Sequence, residues 1–141
     1  MYNVFSRLVI DMSKYYCMLH QDLTGEIINA FYEVYNVLGY GFLEKVYEKS
    51  MMIELQKRGF ECRQQEKIGV YYDNTKVGDY FADIIVSDLV IIELKAAESL
   101  NQAHVNQLIN YLRATNIEVG LILNFGKNPE FKRKIFTNNK K

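Results

Sequence analysis

The chain has 141 residues, 49% of them hydrophobic and 24% charged, which is enough apolar material for one cooperative core without help from metals or disulfides. Its 17 basic and 17 acidic residues cancel, so no global field draws in a polyanion and any nucleic-acid contact has to rest on a local patch. The 13% aromatic content and the lone Pro129 exclude disorder and low complexity, and Cys17 and Cys62 have neither metal-ligand spacing nor a disulfide framework, as suits free thiols in a reducing cytoplasm.

Residues 1–20 lack a clean period and form an N-terminal extension to which no role is assigned. The apolar run at residues 8–10 is cut short by Asp11 and Lys14, before any signal-peptide core or membrane span, so a cytoplasmic protein with no membrane association is expected. From residue 24, Ile27, Ile28, Phe31, Val34, Tyr35 and Leu38 recur at helical spacing, and Gly39 stands where a helix would stop. After a turn at Gly39-Tyr40-Gly41, the residues Leu43, Val46, Tyr47, Met51 and Leu55 predict a second helix ending before Gly59.

The pattern then becomes β-rich. Residues 68–72, a turn at Asp73-Asn74, residues 80–86 and residues 89–94 predict three consecutive antiparallel strands. Helical spacing returns over residues 101–115 through Val105, Leu108, Ile109 and Leu112, and residues 119–125 predict a buried closing strand. The expected domain spans residues 21–126 in the order α-α-β-β-β-α-β. Beyond it, residues 127–141 carry Lys127, Lys132, Arg133, Lys134, Lys140 and Lys141, a basic C-terminal tail expected to be solvated and partly frayed, though able to touch phosphates.

Three charges sit inside the apolar strands. Side chains alternate across a strand, so Glu93 and Lys95 project from one face while Val90, Ile92 and Leu94 pack on the other. A three-residue loop at Ser87-Asp88-Leu89 pairs Asp83 directly with Glu93 on the same face. Two carboxylates held opposite each other in a poorly solvated site repel unless a cation lies between them. Oxygen ligands suit Mg2+ or Mn2+ better than zinc, and Lys95 stands ready to orient or deprotonate an attacking water beside a phosphate. A surface salt bridge between Glu93 and Lys95 is the plainer alternative, and the surrounding Ile84, Ile85, Val90, Ile91 and Ile92 weigh against it, because charges are seldom kept in apolar strands without function.

Two further clusters accompany this one. Gly41-Phe42-Leu43-Glu44-Lys45-Val46-Tyr47 opens the second helix, with Glu44 and Tyr47 expected on one face; a helix-end carboxylate beside a core tyrosine is the plainer reading. His104, Gln107 and Tyr111 share a face of the last long helix, Gln107 being the one expected to reach a polar site; with no second histidine nearby, His104 is not assigned a metal.

Taken together, these motifs resemble the small bacterial and archaeal proteins named for a G-x-x-E-x-x-Y motif, a branch of the PD-(D/E)XK nuclease superfamily. The likeness runs from about Leu23 to Phe125 and covers Gly41 to Tyr47, Ala82-Asp83, Val90 to Lys95 and His104 to Leu108 in order. Ala82 stands where the superfamily's name-giving proline would be, Gly-Tyr-Gly replaces the commoner Gly-Pro-Gly, and Tyr35 stands where such relatives often carry histidine. The resemblance implies an α+β, restriction-endonuclease-like αβββαβ core, a mixed central sheet flanked by helices, with an extra N-terminal helix. It also implies that Asp83 and Glu93 hold the metal, that Lys95 serves catalysis, and that Glu44 and Gln107 complete the site; from their helical spacing, Tyr47, His104 and Tyr111 are expected in supporting positions. The expected activity is divalent-metal-dependent hydrolysis of nucleic acid, DNA foremost, by a monomer or homodimer; the alternative is a catalytically silent module that binds nucleic acid or protein.

Overall fold

A computed structural model describes residues 19–141. Apart from Leu19 and His20, the N-terminal extension lies outside the described residues, and so does Cys17. The elements are α1 (Gln21–Leu38), α2 (Glu44–Lys57), β1 (Cys62–Tyr72), β2 (Thr75–Val86), β3 (Val90–Lys95), α3 (Gln102–Arg113), β4 (Val119–Asn124) and β5 (Glu130–Ile135), followed by a short 3-10 turn at Asn138–Lys140. This is an α+β fold with a mixed sheet in the order β1-β2-β3-β4-β5, in which only β3 and β4 run parallel. A parallel pair needs a crossover, and α3 supplies it.

Each face of the sheet buries its own core. Ile84, Val86, Val90, Ile92 and Leu94, with Val119, Leu121 and Leu123, meet Ile27, Phe31, Val34, Tyr47, Met51 and Leu55 of α1 and α2. Ile85, Ile91 and Ile122 meet Val105, Leu108, Tyr111 and Leu112 of α3 on the opposite face. Phe125 pins the first layer: its ring lies edge-on to Phe31 at 4.8 Å and stacked on Tyr47 at 4.3 Å.

The C-terminal segment departs from the expected frayed tail. Glu130–Ile135 pairs antiparallel with the whole of β4, from Val119↔Ile135 to Asn124↔Glu130. An edge strand is held by its backbone ladder on one side and needs little burial, so a run as charged as Lys132-Arg133-Lys134 can still be a strand, and its charges blunt the free edge. Instead of closing the sheet, β4 is therefore internal, which explains why all six of its residues are buried.

The β1–β2 hairpin outreaches its neighbour. Its ladder runs from Cys62↔Val86 to Tyr72↔Thr75, whereas β3 pairs only with Ile84, Ile85 and Val86. Residues 66–82 thus form a two-stranded ribbon projecting past the sheet. Facing parity changes where the ribbon leaves: Ile84 and Val86 point to α1 and α2, but Ala82 and Tyr80 point to α3. The switch falls at Asp83, opposite Gln65, whose φ of 52° is left-handed.

Candidate active site

The three-residue turn Ser87-Asp88-Leu89 closes on Leu89 N–H donating to the Val86 carbonyl at 2.9 Å, with Ser87 and Asp88 both left-handed. This turn sets the register Val86↔Val90 and Ile84↔Ile92, and one step further along the same strands Asp83 meets Glu93. There the ladder gives way to side chains. Leu94 N–H donates to Asp83 Oδ2 at 2.8 Å, and Asp83 N–H donates to Glu93 Oε1 at 3.1 Å. Each carboxylate takes a backbone donor from the other's strand, so both are fixed at the point where β2 bends away.

Glu93 is only 4% exposed. Burial, and then the neighbouring Asp83 carboxylate, push its pKa from an ordinary 4.5 up to about 8. Asp83 is raised too, by burial first and then by the charge of Glu48. Lys95 pulls both down, but not enough to restore ordinary values. Its Nζ donates to Gln107 Oε1 at 3.4 Å, and Gln107 Nε2 donates in turn to the Tyr111 hydroxyl at 3.0 Å. Asp83, Glu93, Lys95, Gln107 and Tyr111, all singled out from sequence, are thereby brought together.

Glu44 is not among them. It is exposed and lines a separate groove with Phe42, Ala97 and Glu98. The α2 carboxylate that reaches Asp83 is Glu48, one turn later and 3% exposed. Gln65 Nε2 bridges the two, donating to Glu48 Oε1 at 2.5 Å and to Asp83 Oδ1 at 3.3 Å. Gln64 Nε2 and Lys45 Nζ donate to Glu48 Oε2 at 2.5 and 3.0 Å. The sequence held a signal for Glu48: at i, i+3 and i+7 it shares a helical stripe with the buried Met51 and Leu55, and a charge on an apolar stripe calls for a reason.

Tyr47 and His104 prove to be supports of the backbone. The plainer reading of this pair is the one found: Tyr47 is fully buried in the core while Glu44 is exposed at the start of α2. The Tyr47 hydroxyl donates to the Gly39 carbonyl at 2.8 Å and accepts from Phe42 N–H at 3.2 Å, tying the turn between α1 and α2 to the core. His104 completes a capping box on α3: its N–H donates to Asn101 Oδ1 and its Nδ1 accepts from Asn101 N–H. The Tyr35 hydroxyl stands 2.9 and 2.7 Å from the carbonyls of Gly126 and Lys127 and fastens the β4–β5 connection to α1.

Sequence did not single out Asn124, which secures the end of β3. It is wholly buried, its Oδ1 accepts from Ala97 N–H at 2.9 Å and its Nδ2 donates to the Ala97 carbonyl at 3.0 Å. Phe125 N–H donates to the Lys95 carbonyl at 2.8 Å. Beside them Gly126 approaches so closely that a Cβ there would stand 2.2 Å from the Ala97 oxygen.

A family model described as the PD-(D/E)XK nuclease superfamily matches residues 21–134. The chain belongs to this superfamily. Among solved structures, one described as "Crystal structure of SSO0001" superposes with a TM-score of 0.52 at 15% identity, a likeness of fold alone. The match covers 68% of this chain and 51% of that one, so the chain spans about half the length of its structural relative. No curated protein matches the sequence. PD-(D/E)XK nucleases generally use divalent metals. Among the described residues no three His, Cys, Asp or Glu side chains stand together as a ready metal cluster, but two opposed carboxylates with water and phosphate oxygens are a usual magnesium donor set. Asp83 and Glu93 bring one such carboxylate from each strand to the bend of β2. The donor chemistry therefore fits a hard divalent ion.

Proposed function

We propose that the protein is a Mg2+- or Mn2+-dependent endonuclease that hydrolyses phosphodiester bonds, with DNA as substrate. The observation that carries this reading is the mutual lock of Asp83 and Glu93, with Lys95 held on the same face by Gln107. Asp83 and Glu93 would hold the cation, and Glu48 stands one glutamine away. When bound, such an ion offsets the charge of the carboxylates and of the scissile phosphate.

The protein's own groups do the rest. The Lys95 ammonium, aimed by Gln107, donates to a phosphate oxygen and to the incoming water. Water adds to phosphorus, one P–O ester bond breaks, and the water's protons pass to the departing oxygen and to solvent. Glu48, which accepts hydrogen bonds from Lys45, Gln64 and Gln65, keeps Gln65 in place beside Asp83. We further propose that the chain falls in the G-x-x-E-x-x-Y branch, on the order of Gly41 to Tyr47, Asp83, Glu93 to Lys95 and His104 to Leu108.

Purified full-length protein is expected to nick plasmid DNA with magnesium or manganese and not with EDTA, and Lys95→Ala is expected to lose activity by at least ~100-fold. Equal rates for wild type and Lys95→Ala, or no cutting of any nucleic acid with either ion, sinks the assignment. Zero net charge favours a second reading, a silent binding module. Such a module would bind nucleic acid or a protein partner and cut no nucleic acid with either ion.

A further inference from the structure

The ribbon of β1 and β2 and the outer face of α3 enclose an open groove of about 890 Å3. It is joined to the candidate active site by hydrogen bonds: Gln107 and Tyr111 line the groove and also form the chain that ends on Lys95. One wall is aromatic. Tyr71 is 64% exposed, and its ring lies across Gly69, where an added Cβ would meet it at 2.9 Å. A side chain at residue 69 would therefore displace that ring. Tyr80 lies over Gly78 in the same way and leans on Tyr111 at 5.9 Å between ring centres.

The facing wall is amide-rich. Asn106 and Asn110 stand on α3 at i and i+4, exposed to the groove. The Asn110 side chain has no hydrogen-bond partner among the described residues, and Asn106 engages only its oxygen, with Gln102 at 3.0 Å. No carboxylate lines the groove, and Arg113 stands at its rim.

Flat aromatic faces opposite amides with hydrogen-bonding groups to spare are the complement of a nucleobase, which offers a π-face to stack and a polar edge to bond. We propose that this groove is a stacking pocket for an unpaired base adjoining the scissile phosphate, which makes single-stranded or flapped DNA the preferred substrate. The inference rests on the nuclease reading above, since Lys95, the partner of the groove-lining Gln107, is what would hold the neighbouring phosphate. In an intact duplex the base is stacked and paired, and it reaches such a pocket only after being turned out of the helix.

The test is equilibrium binding of the full chain, in calcium, to a fluorescein-labelled 20-mer, single-stranded or as a blunt duplex, read by anisotropy. Wild type is expected to bind the single strand about ten-fold tighter. Tyr71→Ala removes the exposed ring, and Ala103→Trp fills the groove from the exposed side of α3. Each is expected to weaken single-strand binding by about ten-fold, within the range of one lost stacking contact, and to leave duplex binding and thermal melting unchanged. Equal affinity of wild type for both forms, or variants that bind the single strand as wild type does, overturns the pocket. Cleavage by Lys95→Ala is scored separately: if it matches wild type the catalytic assignment falls whatever the binding shows, and if Lys95→Ala is dead while the binding contrast is absent, only the pocket falls. Absence of any nucleic-acid binding removes both.

Discussion

Glu44 and Glu48 lie one turn apart on α2, and only the second is taken out of water. Glu48 reaches Asp83 through Gln65, whereas Glu44 faces solvent along a different groove. Glu48→Gln is therefore expected to lower metal-dependent cleavage by roughly 100-fold, as for loss of a positioned polar group, and Glu44→Gln to stay within about three-fold of wild type, a change of under 1 kcal/mol. Parallel plasmid-nicking rates decide it, and the reverse ranking would return the role to Glu44. Asp83, Glu93 and Lys95 were legible in sequence because alternation within an apolar run fixes which face each side chain takes. Glu48 is harder to read from sequence, because the G-x-x-E-x-x-Y spacing points to Glu44 at the helix start, and the only signal for Glu48 is a charge on the stripe of Met51 and Leu55.

At the scale of elements, seven of the eight helices and strands follow from hydrophobic period and turn chemistry. The eighth, β5, shows no such period: only Phe131 and Ile135 are apolar among its six residues, and its strand character comes from pairing with β4, a long-range partner that local sequence does not reveal. That pairing matters to the site, because the β4–β5 connection carries Gly126 against the turn that follows Lys95. Gly126→Ala forces a methyl into the Ala97 carbonyl and is expected to cost ~1–3 kcal/mol, as overpacking does. It is also expected to reduce cleavage by displacing Lys95, with urea unfolding and nicking assays reading the two effects. A variant with unchanged unfolding midpoint would mean that the turn has slack.

For the molecule as a whole, the crowded carboxylates tie stability to acidity. Glu93 has a folded-state pKa of about 8 against an ordinary 4.5, so the fold binds its proton more tightly than the unfolded chain does. The resulting stability is complete below about pH 4.5 and fades as pH rises through about 8. Metal-free protein is accordingly expected to melt at falling temperature as pH rises from about 5 to 8, a trend that Glu93→Gln flattens. Millimolar magnesium should restore the melting temperature at the alkaline end, and Asp83→Ala should lose that gain. Thermal scans across pH, with and without the ion, check all three, and a flat metal-free profile would contradict the burial of an ionisable Glu93.

The overhang of the hairpin past β3 gives the groove two unlike jaws. The α3 jaw is packed on the sheet through Val105, Leu108 and Leu112, whereas the ribbon jaw has no β3 partner beyond Ile84 and meets α3 through Ile68, Ala82 and Tyr80. The base of the ribbon is the bend at Gln65 and Asp83, so the free-standing wall of the groove springs from the same point of β2 at which Asp83 and Glu93 take each other's backbone donors.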